Sequence, residues 1–185
     1  VSFTLESPDG DQGYPGNASI RVTYTLTDEN EVKIHYEGIC DQDTIFNMTN
    51  HAYFNLAGHE SGPALSQMVY IDSDAITAVD KVLIPTGEIR SVEGTAQDFR
   101  KMHKIGDKIS KASADDSTVA GYDHNFVLNK GEEDIRLAAR YIDRESKRTM
   151  EVFTDCPGLQ VYSSDQLDDM GKNNTYFGPF SGMCF

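Results

Sequence analysis

The chain has 185 residues, and its 16 Lys and Arg against 30 Asp and Glu give a formal net charge of −14 at pH 7. Such an excess of acid repels nucleic acid backbones and anionic lipid surfaces, which makes both poor candidate partners and favours a neutral or cationic substrate. The sequence contains neither an apolar run of membrane-spanning length nor a recognisable signal peptide, so a soluble protein is expected. Three cysteines without a close pair, Cys40, Cys156 and Cys184, argue against a disulfide framework and predict a reducing cytoplasm.

The N-terminal part of the chain carries the clearest strand pattern. Apolar and polar residues alternate over Ile20–Leu26 and again over Val32–Tyr36, with Asp28-Glu29-Asn30 between them. This pattern predicts a β-hairpin over residues 20–37 with its apolar side chains on one face. Before it, residues 7–10 and 14–17 are dense in Gly, Pro and Asn, which predicts a shaped loop.

Short strands are expected along most of the remaining chain. They are predicted at 44–50, 68–71, 75–79, just before Pro85, at 135–142, 150–154 and 159–163. The segment 135–142 also fits a helix; the strand is preferred, and it would form a second hairpin with 150–154. Residues 100–111 have helical spacing that Gly106 weakens, so one irregular turn or short helix is expected there. Short strands with hardly any helix predict an all-β sandwich or barrel, and residues 1–185 show no internal domain boundary.

The most unusual stretch is 47–55, where Asn47, Asn50, His51, Tyr53 and Asn55 follow an apolar segment. The structural interpretation is that the asparagines bond the backbone at a strand end and that His51 is a partly buried histidine. The functional interpretation makes His51 a general acid, because a positioned imidazolium can give a proton to an ether-like oxygen near neutral pH. Residue types alone favour the structural interpretation.

A second candidate stretch is 121–126, in which Asp123 and His124 follow a glycine. The carboxylate of Asp123 could accept two charge-assisted hydrogen bonds from sugar hydroxyls, or it could belong to a turn that enters a strand. Gln160 is a polar residue inside an apolar strand, where an outward-facing position is the common explanation.

The sequence gives little support for a metal, nucleotide or serine-hydrolase site. Asp72-Ser73-Asp74 begins like a calcium loop, but Thr77 and Leu83 stand where the loop needs Gly and Glu. The five histidines include no His-x-x-x-His pair, so no metal site is predicted. Phosphate-loop, dinucleotide and Gly-x-Ser-x-Gly motifs are absent from the sequence.

Several of these segments, with their order and spacing, resemble the aldose 1-epimerase (galactose mutarotase) family. The matching segments are 7–17, 24–27, 47–58, 84–87, 121–126, 157–162 and 181–184, and the segment around His51 is the most specific. The resemblance implies a large antiparallel β-sandwich of the galactose mutarotase-like supersandwich type. It also implies an isomerase without a cofactor that interconverts the α and β anomers of aldohexoses such as galactose and glucose.

The resemblance also implies roles for individual residues. His51 matches the family's acid, which protonates the ring oxygen while a Glu removes the proton of the anomeric hydroxyl. Asp123 matches the carboxylate that holds sugar hydroxyls, and Gln160 matches a glutamine that contacts substrate. Tyr53 lies in the same motif as His51 and is expected to line the pocket.

The chain resembles the middle and later part of the family's enzymes and is expected to be incomplete at both ends. The family's catalytic Glu follows a segment like Ser181–Phe185 at the next position, and the family's upstream region supplies an Arg and a second His. The isolated chain is therefore expected to be a poor mutarotase with strand edges open to self-association. The alternative is a catalytically silent sugar-binding β-sandwich or an inactive fragment.

Overall fold

The computed structural model describes residues 1–115, 120–131 and 133–185, and its described part is almost entirely β. The strands are β1 (Ser2–Ser7), β2 (Ala18–Leu26), β3 (Val32–Cys40), β4 (Met68–Ile71), β5 (Ser73–Val79), β6 (Pro85–Ser91), β7 (His103–Lys104), β8 (Asp123–Leu128), β9 (Arg136–Ile142), β10 (Thr149–Thr154), β11 (Gly158–Tyr162), β12 (Asp169–Met170) and β13 (Tyr176–Phe177). Short 3₁₀ turns cover Asp11–Gly13, Ile105–Asp107 and Lys172–Asn174, and one α-helix, α1, covers Ile109–Asp115. All strand pairs are antiparallel, which confirms the predicted all-β class. No helix of the described residues is long and apolar enough to cross a membrane.

The contacts divide the chain into two compact units, Val1–Asn50 and His51–Phe185. The single-domain assignment for residues 1–185 stays a prediction. In the first unit β1, β2 and β3 form a sheet whose register sets Phe3 opposite Val22 and Val22 opposite Tyr36. One face is thus apolar, as the alternation predicts, and the hairpin is confirmed.

The second unit contains two four-stranded sheets, with strand orders β10-β9-β4-β7 and β11-β8-β5-β6. Both sheets contribute to one apolar core, in which Phe126 of β8 and Tyr141 of β9 are each 0% exposed. Phe99 lies edge-on to Tyr122 and Phe126, with ring centroids 4.9 and 6.2 Å away. Burial of large rings is the main stabilising contribution to such a core.

Two strand predictions were wrong. Residues 44–50, all of them described, form no strand. The Phe46 ring instead covers Gly38, where an added Cβ would lie 2.9 Å from it, so the segment crosses its own sheet. Before Pro85 the chain turns, because the carboxylate of Asp80 accepts the backbone N–H groups of Val82 and Ile84. The strand begins at Pro85 itself, a position that proline tolerates.

The remaining strand predictions are confirmed within one or two residues by β4, β5, β9, β10 and β11. The expected helical turn exists as the 3₁₀ turn Ile105–Asp107 followed by α1. A larger residue than Gly106 would crowd this turn, since an added Cβ would lie 3.1 Å from the Leu65 carbonyl oxygen.

Candidate active site

His51 and Tyr53 lie on an extended segment that is joined to the strand-like end of the chain. Phe54 and Met183 exchange backbone hydrogen bonds of 2.8 and 2.9 Å. Phe54 and Met183 pack into the core, so Tyr53 points to the opposite, outer face and is 48% exposed. The exposed His51 ring stacks on the Tyr53 ring with centroids 5.2 Å apart. The structural interpretation of His51 as a partly buried histidine does not fit this exposure.

Asp123 and Gln160 lie together on the outer face of β8 and β11. Along β8 the buried side chains are His124, Phe126 and Leu128, so Asp123 belongs to the half-buried outer set. Gln160 alternates with buried Leu159 and Val161 and so faces the same way. Its Nε2 donates to Asp123 Oδ1 at 2.7 Å. The two residues form one polar pair across the strands.

The end of the chain lies between these two groups of residues. Tyr162 of β11 forms a bridge with Cys184, while Met183 forms the bridge with Phe54. The order across the sheet is therefore segment 51–54, segment 183–184, β11 and β8. The Tyr162 ring is edge-on to both His51 and Tyr53, with centroids 6.4 Å from each. The structure thus brings all four predicted site residues, His51, Tyr53, Asp123 and Gln160, to one outer surface.

Burial raises the pKa of three groups of this surface, a thiol and two phenols that are already protonated at neutral pH. Burial raises the pKa of the Cys184 thiol to about 12, with the nearby negative charge of Asp123 as a second cause. Burial also raises the pKa of Tyr53 and of Tyr162 above that of an ordinary phenol. These side chains therefore act as aromatic or polar surface, and not as bases.

Tyr162 and Cys184 were missed as site residues by the sequence reasoning. Tyr162 stands two positions from Gln160 on the same strand, so alternation alone could have placed it on the outer face. Nothing in the local sequence shows that Cys184 pairs with β11. Glu151, an internal carboxylate that could have served as a base, lies on β10 of the other sheet and binds Arg140 at 2.7 Å.

Among residues 1–115, 120–131 and 133–185, no group of three or more His, Cys, Asp or Glu side chains is arranged to hold a metal ion. A small cavity of about 40 Å³ is lined by Thr77, Arg90, Gln97 and His124 among others. Its buried His124 and Gln97 approach each other at 3.3 Å, so this polar contact belongs to the interior.

The fold and the site together define an antiparallel β-sandwich with an open aromatic and polar surface. The chain belongs to the aldose 1-epimerase family, whose model matches residues 1–184. It is 44% identical over 186 residues to galactose mutarotase from Bos taurus and 38% identical to aldose 1-epimerase from Haemophilus influenzae. These alignments cover 100% of this chain and 52% and 54% of the two relatives. The resemblance inferred from the motifs is confirmed.

Solved structures show the same fold. A galactose 1-epimerase from Lactobacillus acidophilus matches with a TM-score of 0.86 at 33% identity, covering 100% of this chain and 52% of that one. A GalM/aldose epimerase homologue from C. elegans matches with a TM-score of 0.86 at 29% identity, covering 54% of its length. The chain spans about half the length of the curated relatives it matches.

Proposed function

We propose that the complete gene product that contains this chain is an aldose 1-epimerase, an isomerase that interconverts the α and β anomers of hexoses such as galactose and glucose. The observation that carries the proposal is the placement of His51 and Tyr53 on one side of an outer surface and of the Asp123–Gln160 pair on the other. A proton donor and a hydroxyl-binding carboxylate on one face are what a neutral sugar needs.

The spacing across the surface suits one sugar ring. Neighbouring strands lie about 4.8 Å apart, so three strand steps separate the backbones of segment 51–54 and β8 by roughly 14 Å. Side chains reach into this interval from both sides, and Tyr162 and Cys184 lie between them. Aromatic rings next to a polar pair provide contact for the C–H groups and the hydroxyl groups of one hexose.

In the proposed reaction His51 is the general acid. A carboxylate base removes the proton from the anomeric hydroxyl, the bond between C1 and the ring oxygen breaks, and the ring oxygen takes a proton from His51. The open-chain aldehyde rotates about the C1–C2 bond, and the reverse proton transfers close the ring with the other configuration. The base is expected at the position that follows Phe185. Asp123 and Gln160 hold sugar hydroxyls, and Tyr53 lines the pocket.

The proposal is tested by the turnover rate of the complete gene product with and without His51. His51→Ala is expected to lower kcat for galactose mutarotation, measured by polarimetry or NMR, by roughly 10²- to 10⁴-fold, the usual contribution of a positioned acid. His59→Ala is the matched control, because this exposed ring contacts Phe177 and the Lys172 carbonyl oxygen, and not the proposed site.

Unchanged mutarotation in His51→Ala contradicts the assignment of the acid. If the wild-type product binds galactose without accelerating anomer exchange, the proposed reaction is wrong and the protein is the catalytically silent sugar-binding β-sandwich.

We also propose a cytoplasmic location, for which the three free cysteines are the support.

A further inference from the structure

The side chain of Asn55 joins three separate parts of the second unit. Its Nδ2 group donates to the carbonyl oxygens of Gly62 at 2.8 Å and Ser181 at 3.0 Å. Its Oδ1 atom accepts the Gln67 Nε2 group at 2.6 Å and the Ala57 backbone N–H at 3.1 Å. Two donors and two accepting positions are thus all used, which is the full capacity of a carboxamide.

Gln67 determines which way the Asn55 amide points. Gln67 is 1% exposed, and its Oε1 atom accepts the backbone N–H of Leu56 at 3.1 Å. Because a backbone N–H can only donate, Gln67 must present Oε1 to Leu56 and Nε2 to Asn55. Asn55 must then present Oδ1 to Gln67 and Nδ2 to the two carbonyl oxygens. The network is consistent in one orientation of both amides.

This network lies beside the bridge that joins the His51 segment to the end of the chain. The backbone hydrogen bonds between that segment and the end of the chain are those of the Phe54–Met183 bridge. The Asn55 contact to Ser181 is the side-chain bond that accompanies this bridge. The two backbones approach closely at Gly182, where an added Cβ would lie 3.1 Å from Tyr53 Cβ. A shift of segment 51–55 would therefore move the rings of His51 and Tyr53 together, away from the Tyr162 ring on β11.

We propose that Asn55, oriented by Gln67, is a positioning residue that fixes the His51 segment on segment 181–185. The catalytic consequence rests on the proposed function, whereas the position of the His51 ring does not. Loss of the Asn55 network lowers kcat because the acid is displaced, and leaves KM nearly unchanged because Asp123 and Gln160 are held by β8 and β11.

The test is Asn55→Asp in the complete gene product. The substitution keeps the shape of the side chain but sets a carboxylate oxygen against the carbonyl oxygens of Gly62 and Ser181. With a displacement of about 1 Å, kcat per folded molecule is expected to fall roughly 10- to 100-fold with KM changed by less than about twofold. The His51 Cε1–H resonance, assigned through His51→Ala, is expected to lose the ring-current shift that the edge-on Tyr162 ring of β11 produces.

Asn129→Asp is the matched control. Asn129 Nδ2 donates to Asp72 Oδ1 at 3.0 Å, so this substitution also breaks an amide bond and brings like charges together, at the far end of β8 from Asp123. It is expected to lower stability without moving the His51 resonance or kcat per folded molecule. Gln67→Met, which keeps volume and adds no charge, provides a second variant if Asn55→Asp does not fold. It is expected to lower kcat roughly 3- to 10-fold, the factor that one hydrogen bond carries.

An unmoved His51 resonance in folded Asn55→Asp, or in Gln67→Met where that variant replaces it, overturns the inference. A loss of kcat in Asn129→Asp that equals the loss in Asn55→Asp also overturns the inference. A displaced His51 resonance supports the positioning role even when the wild-type product shows no mutarotation, in which case the proposed function alone fails.

Discussion

Asp123→Asn in the complete gene product separates sugar binding from proton transfer. Gln160 Nε2 already donates to Oδ1 at 2.7 Å, so Oδ2 is the atom that faces a ligand. Hydrogen bonds to a charged group contribute about 1.5–3 kcal/mol and those to a neutral group about 1 kcal/mol, so the lost charge costs about 1 kcal/mol per sugar hydroxyl. One carboxylate oxygen can accept two hydroxyls, which gives about 2 kcal/mol, or roughly a 30-fold weaker Kd.

The assay is the initial rate of α-galactose mutarotation as a function of galactose concentration. KM is expected to rise roughly 30-fold while kcat changes by less than about threefold, because His51 is not altered. Asp155→Asn, which removes an exposed carboxylate from the turn after β10, is the control and should change neither constant. A KM within about twofold of the wild-type value in a folded Asp123→Asn protein would refute the sugar-holding role.

Three further predictions concern the described structure itself. Phe126→Ala should lower the free energy of unfolding by about 3–5 kcal/mol in urea titration, because a fully buried ring leaves a cavity; a loss below about 1 kcal/mol would contradict this packing. The hydrogen bond from Arg100 lowers the pKa of Asp98 from 3.8 to about 2, so this contribution to stability is complete above pH 4 and is lost as the pH falls toward 2. Asp98→Asn should therefore reduce the fall in stability between pH 4 and pH 2. An unchanged fall would contradict the stabilising role of the Asp98–Arg100 pair. At pH 8 iodoacetamide should label exposed Cys156 well before buried Cys184, as peptide mass spectrometry can show, and equal labelling would mean that the 183–184 bridges open readily.

The alternation of apolar and polar residues predicted the strands that pair with their neighbours in the sequence. The hairpin of β2 and β3 was predictable because its apolar residues recur at every second position. In the structure these residues share one face, where Val22 pairs with Tyr36. Segment 44–50 has a similar apolar content, yet it forms no strand because Phe46 packs on Gly38. A strand needs an open edge to pair with, and the sequence of the segment does not contain that information.

The sequence selected the residues of the candidate site, but it did not show how they are arranged relative to one another. The density of polar residues around His51 and Asp123, together with the family resemblance, selected segments that the structure brings to one outer surface. The contact between Gln160 and Asp123 depends on the register of β11 against β8, in which Tyr162 and not Gln160 stands opposite Asp123. Register is a property of two distant strands, so single-strand alternation gives the face of each residue and not its neighbour.

The alternation at the end of the chain makes one further position predictable. Met183 pairs with Phe54 and is buried in the core, whereas Cys184 pairs with Tyr162 on the outer face. Phe185 returns to the core, with its ring 5.3 Å from that of Tyr141. If the coding sequence continues past Phe185 in extended conformation, the next side chain lies on the outer face beside Cys184. That position is between His51 and the Asp123–Gln160 pair.

A glutamate is expected at that position, as the family resemblance implies, and it would be the base that complements His51. General acid–base catalysis needs both groups within hydrogen-bond reach of the substrate, so a protein without a carboxylate at this position should be a poor mutarotase. Sequencing the gene beyond the codon for Phe185 tests the identity of the residue directly, and any residue other than Glu contradicts the alignment. Polarimetry of the isolated chain tests the consequence. Anomer exchange at a typical enzymatic rate, on the order of 1–10³ s⁻¹, would mean that Glu151 or another internal carboxylate is the base, or that the alignment to the family is wrong. Glu151 on the other sheet would have to leave Arg140 to serve, and loss of this activity in Glu151→Gln would identify Glu151 as that base.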